Sequence, residues 1–210
     1  MDKTRIAIDV FNKLATEYQD KFMNVDSYSD TFDIFCENIQ KQNADVLELA
    51  CGPGNITKYL LNKRPDLKIL GTDLAPNMIR LAKINVPAAE FQLMDCRVIE
   101  MLNKKYDAIM CGFCLPYLSR EEAFKLIVDA SKLLNSSGIL YLSTMEDDYN
   151  NSGFRKGSQG DEIYMHFHEA DYLVAELEKN NFTITDLKRK DYPERDGSIT
   201  IDLVIIATRN

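Results

Sequence analysis

The segment from Val46 to Asn55, VLELACGPGN, carries the strongest chemical signal in the chain: an apolar strand runs into Gly52-Pro53-Gly54 and then into a helix. Glycines at such a turn let the backbone fold tightly and bring its N–H groups against a ligand with no Cβ in the way. The next apolar strand, KILGTD, ends on Asp73, 19 residues after Gly54. A carboxylate at that tip can accept hydrogen bonds from both hydroxyls of a ribose, so the two features together point to an adenosine-containing ligand. The dinucleotide fingerprint asks for a third small residue three positions after Gly54; this chain has Thr57 there, and it has no Gly-Lys-Ser/Thr. The pattern favours a nucleoside without phosphates.

Side chains for proton transfer are few. The two histidines, His166 and His168, stand in YMHFHEAD. If that piece is extended, Tyr164, His166 and His168 share one face, which could look into an acceptor pocket, with Met165 and Phe167 on the other. Either imidazole could act as a general base, since histidine titrates near neutrality. Equally, His168 could cap the following helix and His166 could sit on a strand surface. Tyr117, in GFCLPYLS, could orient a substrate or pack in the core. Cys111-Gly-Phe-Cys114 has the spacing of a redox pair or half a zinc site, with Cys51 and Cys96 expected on the same sheet edge. Those last two lack paired spacing, and free cysteine is commonly buried, so no metal is expected.

The elements that must position these residues follow from hydrophobic period. Strands are expected over 45–49, 68–73, 90–94, 106–111 and 138–143, alternating with helices over 56–63, 76–84 and 120–134. That alternation is the signature of strand–helix–strand crossovers, hence an α/β class with a largely parallel sheet. Ile6, Val10, Phe11 and Leu14, then Phe32, Phe35, Cys36 and Ile39, predict two earlier helices over 4–18 and 31–40 that can cap the ligand edge. The polar stretch EDDYNNSGFRKGSQGD, 146–161, reads as an insertion. A helix over 170–179 leads to strands over 183–192 and 198–208, and Asp196-Gly197 between them signals an antiparallel hairpin. One domain is expected over 1–210: a helical cap (1–43), a cofactor-binding half (44–145), a substrate-side insertion (146–168) and a C-terminal helix and hairpin (169–210).

Composition narrows the function. The 210 residues are 45% hydrophobic and 28% charged, as in soluble globular proteins. A net charge of −8 repels phosphodiester backbones, and Lys188-Arg189-Lys190 is flanked by acids, so nucleic acid is not the expected partner. The longest nearly apolar run, 108–118, is interrupted by Gly112 and Pro116 and falls short of the roughly 20 residues a membrane span needs. Five irregularly spaced cysteines and an N-terminus without a signal-type apolar stretch suit the cytoplasm. A homodimer is one expectation for the assembly.

The chain resembles the class I S-adenosylmethionine-dependent methyltransferases over nearly its whole length. Glu48, Leu49, Ala50, Cys51, Gly52, Pro53 and Gly54 match the family's first motif, an acidic residue ahead of a Gly-x-Gly loop. Asp73, within GTDLAPNMI, matches its ribose carboxylate, and Met78 falls where a residue commonly packs near the adenine. Asp95 in FQLMDC matches the adenine-edge acid, YDAIMCGF the fourth-strand motif, and LLNSSGILYLST the helix, glycine turn and fifth strand. The resemblance implies a Rossmann-like seven-stranded sheet, mostly parallel with the last strand antiparallel, helices on both faces and an N-terminal helical cap.

It also implies roles. Glu48 and loop carbonyls, Ala50 among the set, suit the ammonium of S-adenosylmethionine; the Gly52 and Gly54 amides suit its carboxylate, and Asp73 its diol. Asp95 would accept from the adenine amino group and the Cys96 amide would donate to a ring nitrogen. Leu74, Met78 and Phe113, with Gly112 beside it, would enclose the base, while Tyr18 and Tyr28 would close over the methionine end. The activity implied is methyl transfer to a small-molecule acceptor by in-line displacement, with S-adenosylhomocysteine as product; acceptor and target atom stay open. So do two alternatives: an NAD(P)-dependent oxidoreductase, which shares the ribose-carboxylate logic, and a non-catalytic S-adenosylmethionine-binding protein.

Overall fold

Apolar residues at three- and four-residue spacing build the first helices: α1 (Lys3–Lys13), α2 (Ala15–Phe22) and α3 (Ser29–Asn38). The computed structural model describes residues 3–157, 160–194 and 197–210. The helix expected over 4–18 is broken at Leu14 (φ −99°, ψ 22°). The break sets Phe11 on α1 and Tyr18 on α2 edge to face, ring centroids 5.7 Å apart, on the same side of the cap.

The alternating middle gives β1 (Asp45–Leu49), α4 (Asn55–Lys63), β2 (Lys68–Asp73), α5 (Pro76–Asn85), β3 (Glu90–Leu93), β4 (Tyr106–Cys111), α6 (Arg120–Leu133) and β5 (Leu134–Glu146). β1 and β4 are buried on both faces, which is why they read as nearly unbroken apolar runs. Leu47, Leu49, Ile109 and Cys111 pack toward α6, while Val46, Ala108 and Met110 pack toward α3 and α4. α6 starts on a reciprocal cap: Ser119 Oγ accepts from the Glu122 N–H, and the Glu122 carboxylate accepts from the Ser119 N–H. β5 begins at Leu134, four residues before the expected 138, because the chain leaves α6 straight into pairing with Tyr106 and bulges before Gly138. A Cβ at Gly138 would meet the Asn135 carbonyl at 2.9 Å.

The stretch 146–161 is not all loop. Its β6 (Gly153–Lys156) pairs antiparallel with β7 (Glu162–Met165), and Phe154 meets Tyr164 edge to face across the pair. Then come α7 (Ala170–Lys179), β8 (Phe182–Pro193) and β9 (Ile199–Arg209). β8 and β9 pair antiparallel as the turn signal requires; Asp196, half of that signal, lies outside the described residues.

The seven-stranded sheet runs β3-β2-β1-β4-β5-β9-β8, parallel from β3 to β5, with β9 antiparallel to both its neighbours. Strand order reverses between β1 and β4, so a crevice opens at their carboxyl ends. The cap covers that edge. Lys13 pairs with Asp161 at 2.8 Å, the Lys3 ammonium sits 3.4 Å from the Tyr164 ring centroid, and Tyr28 donates to Asp202 Oδ2 at 2.5 Å. Among the described residues, no helix is long and apolar enough to cross a membrane.

Candidate cofactor site

The loop after β1 turns on left-handed residues: Ala50 (φ 52°), Gly52 (φ 54°) and Gly54 (φ 82°). Gly52 and Gly54 adopt this conformation freely, whereas Ala50 holds it at a cost of about 1–2 kcal/mol. A Cβ at Gly54 would press on Val86 at 3.2 Å, so that glycine lets α4 and α5 approach each other. Two amides expected to face a ligand are engaged within the protein. The Gly52 N–H donates to Asp73 Oδ2 at 2.9 Å, and the Gly54 N–H closes the turn onto the Cys51 carbonyl at 3.0 Å.

Asp73 is fixed from both sides. Its Oδ2 takes the Gly52 N–H and its Oδ1 takes the Ala75 N–H at 2.8 Å. Each carboxylate oxygen keeps a further lone pair. Burial raises the pKa of Asp73 above the usual carboxylate value. At the crevice these groups wall a cavity of about 110 Å³.

Ten sequence-named cofactor residues meet there. Ala50 and Gly52 come from the first loop, Asp73, Leu74 and Met78 from the end of β2 and the start of α5, and Asp95 and Cys96 from beyond β3. Gly112 and Phe113 follow β4, and Tyr18 closes the cap side. Phe113 is itself left-handed (φ 53°), and its N–H donates to Ser143 Oγ at 2.9 Å. Tyr117 also lines the cavity, its ring edge to face with Phe11 at 5.0 Å.

Five sequence-named site residues lie off the cavity wall: Gly54, Glu48, the two histidines and Tyr28. Gly54 is held there by its packing against α5. Glu48 is buried behind the loop: its Oε2 accepts from Thr57 Oγ1 at 2.5 Å, its Oε1 has no partner, and burial pushes its carboxyl up to about 8. Thr57 therefore fills the position where a dinucleotide site needs a small residue.

The histidines do share a face, as the period of two predicts: Tyr164 and His166 rings are 4.8 Å apart and the two imidazoles 6.4 Å apart. That face meets the turn Leu115–Tyr117 rather than the cavity. His168 Nε2 lies 2.9 Å from the Leu115 carbonyl and 3.2 Å from that of Leu118, and its Nδ1 lies 2.7 Å from the Tyr172 hydroxyl. Carbonyls can only accept, so Nε2 carries the proton and Tyr172 donates to Nδ1. Burial holds His168 down at about 4. The His166 Nδ1 lies 3.2 Å from the Tyr149 hydroxyl, and its backbone N–H donates to the Pro116 carbonyl at 2.7 Å. The pair thus buttresses the turn that carries Tyr117. Tyr28 likewise stays off the wall; its ring touches Phe113 at 5.1 Å and its hydroxyl is spent on Asp202.

Several wall residues escaped the sequence reading. Arg97 reaches back to Asp95, with Nη2 2.6 Å from Oδ2 and Nε 3.0 Å from both oxygens. Its Nη1 donates to Thr4 Oγ1 at 3.0 Å and to Glu122 at 3.2 Å, so one guanidinium joins Asp95, α1 and α6. Phe11 and Ile8 of α1 and Met94 complete the apolar wall. The helical spacing of Phe11 marked an apolar face without showing what it covers. All five cysteines are free, and among the described residues no group of three His, Cys, Asp or Glu could hold a metal ion.

Comparison with known proteins agrees with this geometry. A family model described as a methyltransferase domain matches residues 46–138. A malonyl-[acyl-carrier protein] O-methyltransferase of Acetivibrio thermocellus is 33% identical over 106 residues, 50% of this chain and 36% of that protein. A trans-aconitate 2-methyltransferase of Variovorax paradoxus is 33% identical over 97 residues, 46% of this chain and 37% of that protein. The match thus spans little more than a third of the length of either relative. Among solved structures, a magnesium protoporphyrin IX methyltransferase from Synechocystis with bound S-adenosylhomocysteine superposes with a TM-score of 0.72 at 17% identity, covering 100% of both chains. In its glycine loop, strand-tip carboxylate and strand order the chain has the fold of S-adenosylmethionine-dependent methyltransferases, and over residues 46–138 it is similar to a methyltransferase domain.

Proposed function

We propose that the chain binds S-adenosylmethionine in this cavity and transfers its methyl group to a small-molecule acceptor by in-line displacement. The observation that carries the reading is Asp73. Two backbone N–H groups orient its carboxylate at the crevice wall, leaving one lone pair on each oxygen for a ribose diol. At Gly52 an added Cβ would lie 3.6 Å from Tyr18, so the missing side chain leaves the backbone open to a ligand. Asp95 and the Cys96 amide face the base edge, while Leu74 and Met78 supply apolar contact. The cofactor supplies an electrophilic methyl on a sulfonium sulfur, which leaves as a neutral thioether.

Positioning is the protein's main contribution. The rings of Tyr18, Phe113 and Tyr117 suit a sulfonium, which aromatic faces attract. Neither histidine reaches the cavity, so the acceptor presents a free lone pair or loses its proton to solvent. A relative named for trans-aconitate supports a small acceptor. The dinucleotide alternative is disfavoured by Thr57, buried and bonded to Glu48 where that site needs a small residue.

Calorimetric titration with S-adenosylmethionine, S-adenosylhomocysteine and the nicotinamide dinucleotides tests binding, and methyl release into an acceptor panel tests transfer. Binding of the two sulfur nucleosides alone, with transfer to an acceptor, is the expected result. Preference for a dinucleotide would overturn the reading, and binding without transfer to any acceptor would favour the non-catalytic alternative.

A further inference from the structure

We infer that Cys96 and Cys114 form a redox-modifiable pair, and that a small-molecule disulfide oxidises them to a disulfide that disables the cofactor cavity. The sequence draws attention to Cys111-Gly-Phe-Cys114, and the structure brings both Cys111 and Cys96 to Cys114. Its Sγ lies 3.4 Å from the Sγ of Cys96, 18 residues away, while Cys111 is a buried core residue of β4. Both Cys96 and Cys114 stand on the cavity wall, one directly after Asp95 and the other directly after Phe113. Cys96 alone of the five cysteines is partly exposed, so it is the point of entry.

The step balances as two thiol–disulfide exchanges. The Cys96 thiolate attacks one sulfur of the small disulfide, forming a mixed disulfide and releasing one small thiol. The Cys114 thiolate then attacks the Cys96 sulfur and releases the second small thiol. One S–S bond of the oxidant is broken and one S–S bond is made in the protein. Two electrons pass to the oxidant, and the two cysteine protons end on the released thiols. Contact with Cys114 and burial push Cys96 well above the usual thiol value, and contact with Cys111 and burial do the same to Cys114, so the exchange is slow in the absence of abundant oxidant.

Closure draws the sulfurs from 3.4 Å to about 2.05 Å. The displacement falls on the residues next to Asp95 and Phe113, which the proposed function sets against the base edge and the sulfonium. A shift of about 1 Å in a positioned site is enough to cost about a hundredfold. A bound nucleoside covers the wall and shields Cys96. Only this effect on the cofactor rests on the function proposed above; the cross-link itself does not.

The test incubates the full chain with glutathione disulfide and follows mass, peptide linkage and calorimetric affinity for S-adenosylhomocysteine. The expected product has lost the mass of two hydrogens and links Cys96 to Cys114. It binds the nucleoside about tenfold to a hundredfold more weakly, recovers with dithiothreitol, and forms more slowly when nucleoside is present. Cys96→Ser and Cys114→Ser lose the cross-link, whereas Cys111→Ser keeps it. Linkage through Cys111, a Cys96 adduct that never closes, or a cross-linked chain with unchanged affinity overturns the inference. If the reduced chain binds no nucleoside although the cross-link forms, the cofactor reading and the predicted loss of affinity fail, while the pair as a modification site stands.

Discussion

Replacing Asp73 with alanine separates two jobs that one carboxylate performs. In the wild type its oxygens accept the Gly52 N–H at 2.9 Å and the Ala75 N–H at 2.8 Å, and in the function proposed above each offers its other lone pair to a ribose hydroxyl. A hydrogen bond to a charged group contributes about 1.5–3 kcal/mol, and two such bonds sharing one carboxylate are not additive. The expected loss of cofactor binding is therefore about 1–3 kcal/mol, roughly a 5- to 150-fold weaker Kd at about 1.4 kcal/mol per decade. The same substitution strips two N–H groups of their acceptor, which lowers stability by about 1–3 kcal/mol. Asp73→Asn keeps one acceptor oxygen but turns an NH2 toward the other N–H, so it should fall between alanine and wild type in stability. Calorimetry with S-adenosylhomocysteine and thermal unfolding without ligand read the two effects separately. A lowered melting temperature with unchanged Kd would show that Asp73 braces the glycine loop and does not hold a ribose, and the placement of the nucleoside would fall.

Two other side chains give pH-dependent tests. Asp202 is buried with Tyr28 on one oxygen and no partner on the other, and burial pushes its carboxyl from 3.8 up to about 6. The folded state then holds the proton more tightly than the unfolded one, so this group's contribution to stability is complete below 3.8 and is lost as pH rises through about 6. Asp202→Asn should remove up to about 3 kcal/mol of that decline in urea unfolding across the window; parallel curves for the two proteins would refute the assignment. His168 titrates in the opposite sense. Burial lowers it from 6.5 to about 4, so its contribution is complete above 6.5 and is lost as pH falls through about 4. His168→Leu removes the Nε2–H shared by the Leu115 and Leu118 carbonyls, leaving Leu115 only the Leu118 N–H, and should cost about 1–3 kcal/mol of stability. The pH profile of turnover near neutrality should not change, and a lost limb near 6.5 would restore the histidine as a base.

What the residues disclosed in advance was mostly local. Gly52, Gly54 and Asp73 announce a strand–turn–helix and a strand tip because backbone conformation and strand length are written in neighbouring residues. The same holds for the β8–β9 hairpin. Arg97 was silent because its pairing with Asp95, two residues away, depends on the 3-10 turn over Cys96–Met101, and its reach to Thr4 depends on where α1 docks. The histidines show the limit of periodicity, which gave the shared face of Tyr164, His166 and His168 but not the turn over Leu115–Tyr117 against which that face lies. Glu48 matched a motif by position, and only the packing of α4 on β1 shows that its carboxyl answers Thr57 behind the loop. Sulfur spacing was incomplete in the same way, since it marked Cys111 with Cys114 but not Cys96, which a separate loop brings to 3.4 Å from Cys114.

Helix α1 is tethered by Thr4 to Arg97, Lys3 to Tyr164, Asn12 to Asn77 and Lys13 to Asp161, over a cavity of about 110 Å³. Pockets for ligands of this size usually hold about 300–1,000 Å³. On the function proposed above, a nucleoside enters or leaves as those tethers break, and release of product is then the step they would slow. Because the Lys13–Asp161 tether is electrostatic and Lys13 faces solvent, raising ionic strength should quicken that departure without touching a residue of the cavity wall.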